Sequence, residues 1–422
     1  MAAILFGISA LELHCTPPDA CDFAAEESLI HGENPCASAE DLSPSPHLPE
    51  AARANAPDFA RIIDRQLNGA LIGVSKPFHI IDPRATRGRY TDFVIHSSNV
   101  RTGELIPIAD GLYVTTPERT ILDLCRDHST GAIAALMCEM CGLYTTAPNT
   151  ERLTDTLDAL SGNNQMDRSK ARQSDLSRYS ASNAGSKPDC VPHVAAFLDA
   201  NGMRCDFSNM KNAWTPCIGR NGKRTSLWKR PPLCTIDSLI ACAENNRRTP
   251  GIQRFRKALR YVVEGSGSPA ETICAILMGP NRRLGQEGLP PAQLNRRVRL
   301  DDVSASSLGQ ETCVVDILWT EGAQIRPGCA VEVEGAAFHD DSKIDPSKLR
   351  GTNADSARRA ALAHMGLDVV TIAWSQLENL EQWDTVVDLI YKKLGIKRTP
   401  LDANCLMLRE QLHHELMHTG IH

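Results

Sequence analysis

The sequence predicts an α/β protein of the α+β kind, with a C-terminal mixed sheet flanked by helices and a separate mixed α/β N-terminal region. Three observations predict it. Residues 314–319 (Val-Val-Asp-Ile-Leu-Trp) and 330–335 (Ala-Val-Glu-Val-Glu-Gly) read as two strands of a hairpin. In each, apolar and β-branched residues flank a carboxylate. Glu321-Gly322 and Arg326-Pro327-Gly328 supply turn chemistry between them. Elsewhere, capped helical patterns alternate with short β-rich runs. The composition, 42% apolar and 23% charged over 422 residues, is that of a chain long enough for two or three packed domains.

Along the chain, residues 1–150 form the first region. Residues 4–13 are apolar, and 43–49 (Ser-Pro-Ser-Pro-His-Leu-Pro) can only be loop. Short strands are expected at 71–74, 78–81, 93–96 and 112–114. A helix should start near Thr115, with Pro117 in its first turn and Glu118 placed for a capping box. Residues 132–140 are a second helix. Residues 151–190 read as a linker, because 161–165 and 180–186 hold too little apolar content to pack. Residues 191–265 are a mostly helical connecting segment, with helical spacing at 193–199, 236–244 and 255–263. From 266 to 398 the expected order is helix, hairpin, helix, strand, helix. The later helix, 355–365, stops at Gly366; 368–372 is a buried strand, and 383–394 closes the domain. Residues 399–422 are a C-terminal tail helix.

The net charge of −6 excludes a histone-like binder, yet basic residues gather at Arg282-Arg283 and at Arg296-Arg297-Arg299, just ahead of the acidic segments. Such clusters suit a polyanion, and a solvated face is the alternative reading of each. The fifteen cysteines are odd in number and spread through apolar patterns, without a secretory signal ahead of them. Free thiols in a reducing cytoplasm are expected. No apolar run approaches the roughly 20 residues a membrane span needs.

A carboxylate inside an apolar strand is costly unless a partner or a metal compensates it. Two such carboxylates on neighbouring strands make a site for a hard, oxygen-seeking cation. The series Ser268-Pro269-Ala270-Glu271, then Asp316, then Glu332-Val333-Glu334-Gly335, then His339 resembles the restriction-endonuclease-like PD-(D/E)xK nucleases. It is most similar to domains related to the very-short-patch repair endonuclease. Asp355, Arg358, Leu362 and Gly366 also fit that domain's second half. The resemblance implies a DNA endonuclease in which Asp316, Glu332 and Glu271 ligate Mg²⁺ or Mn²⁺. It also implies that Glu334 and His339 complete the catalytic set, His339 relaying a proton, and that Arg282, Arg283, Arg296 and Arg297 hold DNA. Many of these nucleases carry Lys at the position that is Glu334 here. The runner-up reading is a non-catalytic DNA-binding regulator.

Residues 6–14, the strands through 94–96 and residues 111–124 resemble the body of abortive-infection type IV antitoxin-like proteins. That resemblance implies a bacterial setting in phage defence or DNA processing and a cognate toxin or defence protein as partner. His414-Glu415-Leu416-Met417-His418 matches the H-E-x-x-H pattern of zinc peptidases, but no third ligand follows at the required spacing and chance is the favoured reading. Cys138-Glu139-Met140-Cys141 is a lone C-x-x-C, read as helix-buried thiols. His14, Cys15, Cys21 and Cys36 are too irregularly spaced for a metal site.

Overall fold

The computed structural model describes residues 3–18, 20, 71–81, 88–89, 92–109, 112–167, 214–219, 224–320, 328–334 and 350–418. The fold is α/β, as expected. Two compact units emerge, one drawn from Met1–Leu124 and Thr146–Thr215, the other from Cys125–Thr145 and Pro216–Ile421.

In the first unit the strands are β1 (Ala3–Leu5), β2 (Phe78–Ile81), β3 (Gly88–Arg89), β4 (Phe93–His96), β5 (Leu105–Ala109) and β6 (Leu112–Thr115). They form one sheet in the order β3-β4-β2-β1-β6-β5. Central β1 pairs antiparallel with β2 and parallel with β6. Leu5, Leu13, Ile80, Ile95 and Val114 make its core. The strand expected at 71–74 is instead a turn, closed by Val74 N donating to Leu71 O at 3.0 Å. The helix Pro117–Leu124 starts as predicted, but the capping oxygen is that of Thr116, which accepts from Arg119 N at 3.4 Å. Arg119 is buried, and its guanidinium bonds Asp123, Glu104, Ser98 and the Asn99 carbonyl. The helix Glu151–Asp167 occupies the first part of the expected linker. Thr150 accepts from Leu153 N at its start, and Leu153 and Leu157 bury there, which the polar stretch after them concealed.

The second unit holds β7 (Tyr144–Thr146), β8 (Thr215–Ile218) and β9 (Arg224–Lys229), in the order β7-β9-β8. A mostly helical segment was expected at 191–265. The helices Ile236–Asn245 and Ile252–Leu259 are present, yet β8 and β9 precede them, and 193–199 lies outside the described residues. Four further strands, β10 (Gln293–Arg299), β11 (Thr312–Thr320), β12 (Gly328–Glu334) and β13 (Leu367–Ala373), form a mixed sheet in sequence order. The first two junctions are antiparallel and the last is parallel. The expected order of helix, hairpin, helix, strand, helix is present, with β10 added ahead of the hairpin. The hairpin's predicted turn, 321–327, lies outside the described residues. Val315, Leu318, Ala330, Leu362 and Leu367 pack the core under this sheet. The helix Arg350–His364 ends at Met365 and Gly366, whose φ of 83° is the left-handed stop that glycine favours.

The C-terminal helix Ala403–Met417 is built into this unit. Arg409 is buried and donates through Nε to Glu287 Oε1 at 2.6 Å; Arg398 Nη2 donates to Glu287 Oε2 at 2.9 Å. Trp383 Nε1 donates to the same carboxylate at 2.9 Å.

Candidate active site

The four-stranded sheet carries one row of polar residues across its strands. Leu294 pairs with Ile317 and Arg296 with Val315, so Asn295 lies opposite Asp316. Ile317 pairs with Val331, and the next step sets Asp316 opposite Glu332. Glu332 pairs in turn with Thr371. Directly opposed residues share a sheet face. Asn295 has a φ of 47°, a left-handed conformation that asparagine tolerates better than most residues.

Glu271 reaches this row from the first turn of the helix Pro269–Met278. Ser268 caps that helix by accepting from Glu271 N at 3.2 Å, and Pro269 opens it, as predicted. Only 6% of Glu271 is exposed. Its Oε2 accepts from Gly267 N and from Asn295 Nδ2, both at 2.6 Å. On the other side of Gly267, Lys229 Nζ donates to the carbonyl at 2.5 Å. A Cβ at Gly267 would stand 2.9 Å from Lys229 Nζ and 3.1 Å from the Asn295 side chain, so bulk there collides with both functional groups.

The electrostatics single out two acids. Burial raises the Glu271 carboxyl above its usual range, and the charge of Asp316 raises it further, against the Gly267 and Asn295 hydrogen bonds and Lys229. Burial likewise raises Asp316, whose Oδ2 accepts from Val333 N at 2.8 Å. That bond, Arg358 and Lys229 pull it back. Two interacting, desolvated carboxylates with raised pKa are what a functional site produces, although structural networks also produce such shifts.

The third expected ligand has a cationic partner. Glu332 Oε1 accepts from Arg358 Nη2 at 2.8 Å, and the same Nη2 also donates to Val314 O. Among the described residues no three acid, His or Cys side chains already stand as a ligand set. Asp316 and Glu332 are thus directly opposed on one sheet face, Glu271 joins the same row through Asn295, and Arg358 pairs with Glu332. Glu334 follows two residues along β12, on the face of Glu332. His339 lies outside the described residues.

No protein family, no curated protein and no solved structure matches this chain.

The argued chemistry therefore rests on the side chains themselves. Three of the four arginines expected to meet DNA, Arg283, Arg296 and Arg297, are exposed. Arg282 is committed to the fold instead: its Nη2 donates to Tyr391 Oη at 3.0 Å and its Nη1 to Thr399 O at 3.2 Å. Lys229 and Asn295 carry no sequence signal of their own, since neither falls in the acidic series. Cys138 and Cys141 are buried thiols, and burial pushes Cys138 up to about 12, which makes it unreactive. No described helix is long and apolar enough to cross a membrane.

Proposed function

We propose that the second unit is a divalent-metal-dependent phosphodiesterase acting on DNA, an endonuclease of the restriction-endonuclease-like kind. One observation carries the reading: the helix-borne Glu271 is hydrogen-bonded to Asn295, which lies directly opposite the strand-borne Asp316, and burial raises both carboxyls. Paired carboxylate oxygens suit Mg²⁺ or Mn²⁺, and an ion held by them would offset the burial that raises both and the Asp316 charge that raises Glu271 further. When bound, such an ion supplies an activated water and neutralises charge on the reacting phosphate. The Lys229 ammonium, whose charge lowers both carboxyls, would stabilise the developing negative charge. Asn295 and the Gly267 amide orient Glu271. Exposed Arg296 and Arg297, on the strand that carries Asn295, would hold the phosphate backbone. A defence or DNA-processing role with a cognate partner, in the bacterial cytoplasm, fits the antitoxin-like first region.

One observation favours a non-catalytic DNA-binding regulator. Arg358 pairs with Glu332, which sets a guanidinium rather than a metal against that carboxylate. Nicking of supercoiled plasmid in Mg²⁺ and Mn²⁺ separates the two. The enzyme reading expects cleavage that falls about 10²-fold or more in Asp316→Asn. DNA binding without cleavage by the unaltered chain, in either metal, overturns it.

A further inference from the structure

The C-terminal helix carries a second cluster of ionisable groups that the phosphodiesterase reading leaves unused. Glu410, His414 and His418 recur at i, i+4 spacing and so form one stripe on the helix. The rings of His414 and His418 stand 4.3 Å apart between centroids, tilted by 34°. His418 Nδ1 lies 3.0 Å from the carbonyl oxygen of His414. A carbonyl can only accept, so Nδ1 carries the hydrogen and Nε2 of the neutral ring keeps its lone pair. Metal-binding imidazoles are held in this way, the second ring nitrogen tied to a carbonyl or carboxylate. The stripe borders a groove of about 600 Å³ that Trp374, Glu378 and Glu381 also line. His413, next in sequence, is buried and bonds the Leu377 carbonyl at 2.6 Å, which removes it from the stripe.

We infer that His414 and His418 form a two-imidazole clamp for a borderline divalent transition metal such as Zn²⁺, Ni²⁺ or Co²⁺. Water completes the coordination. Imidazole nitrogen selects such ions over Mg²⁺, so excess Mg²⁺ competes for the Glu271–Asp316 carboxylates and leaves this site loaded. The clamp is not a peptidase centre. Glu415, which the H-E-x-x-H pattern would use to polarise water, accepts from Gly131 N through Oε2 at 2.6 Å and from Gln411 Nε2 through Oε1 at 2.8 Å. Its carboxylate is spent on the start of the helix Thr130–Met140, and it does not line the groove. The inference stands independently of the nuclease reading.

The test is a Co²⁺ titration of the full chain, stripped with chelator and kept reduced, followed by absorbance. The expected result is one saturable site whose spectrum lacks a thiolate charge-transfer band and which excess Mg²⁺ does not displace. His418→Ala should weaken it at least about tenfold, while Glu415→Gln leaves the affinity within about twofold. Both histidines are exposed, so far-UV circular dichroism of the variants should match the parent. Unchanged affinity in the His414→Ala/His418→Ala double variant overturns the inference, and so does a thiolate band that tracks binding.

Discussion

Two glutamates of the second unit are equally sequestered and opposite in kind. Glu271 is 6% exposed and faces another acid; Glu287 is 2% exposed and faces two arginines. Around Glu287 every interaction neutralises: Arg398 on one oxygen, Arg409 and Trp383 on the other. Around Glu271 the hydrogen bonds orient the carboxylate, while Asp316 opposes its charge. Burial alone therefore does not mark a reactive carboxylate. What distinguishes it is charge left uncompensated in a low-dielectric place, which holds a fold back and gives a cation something to do.

The largest effect should separate the two by stability. Glu287→Ala takes the buried acid from Arg398, Arg409 and Trp383, leaving Asp384 as the partner the two arginines share, and should lower unfolding free energy by about 3 kcal/mol. Glu271→Gln keeps an acceptor for Gly267 and Asn295, removes a repulsion and should stay within about 1 kcal/mol of the parent. Urea denaturation of both measures this, and equal losses would erase the distinction.

Next comes Lys229→Met. Plasmid nicking should drop roughly 10- to 100-fold with the melting temperature nearly unchanged, since removing one charge from a preorganised site costs catalysis more than folding. Undiminished cleavage would leave Lys229 as a tether of Gly267 and no more.

A third comparison uses pH. The folded carboxyls of Glu271 and Asp316 are raised, so above the ordinary carboxylate range the unfolded chain ionises both groups while the fold resists. Their contribution therefore weakens stability as pH climbs through the folded values, and protonation on the acid side restores it. Melting curves should show Mg²⁺ stabilising the parent more at pH 8 than at pH 5, and Glu271→Gln flattening that difference. A Mg²⁺ effect that is the same at both pH values would mean these acids do not hold the ion.

The smallest expected change is Asn295→Gly. Glycine accepts the left-handed backbone, so the loss reads the Asn295 hydrogen bonds to Glu271 and to the Gly265 carbonyl together and should be about 1 kcal/mol. A neutral result in chemical denaturation would show that Gly267 alone orients the carboxylate.

How much of this could be read from residues follows from their spacing. Asp316 was legible because four apolar neighbours make its charge conspicuous, and Glu271 because Ser268 and Pro269 mark a helix start. Asn295 was not. Gln293–Arg299 alternates too weakly to announce a strand, and it becomes one by pairing along Thr312–Thr320. Lys229 arrives from a separate sheet whose strands are short and polar, so no local pattern links it to Glu271. The pairing of Glu332 with Arg358 was not legible either, because only the fold brings that helix against β12. His339 lies outside the described residues.

The anchoring of Arg409 has a practical corollary for anyone trimming this chain. An expression fragment stopped at residue 398, a natural-looking edge by composition, would discard one of the cations that make Glu287 tolerable indoors. It would also take Glu415 from the Gly131 amide in the first turn of the Thr130–Met140 helix, leaving Ser129 as that helix's cap. Recombinant pieces of the second unit should therefore run through Met417.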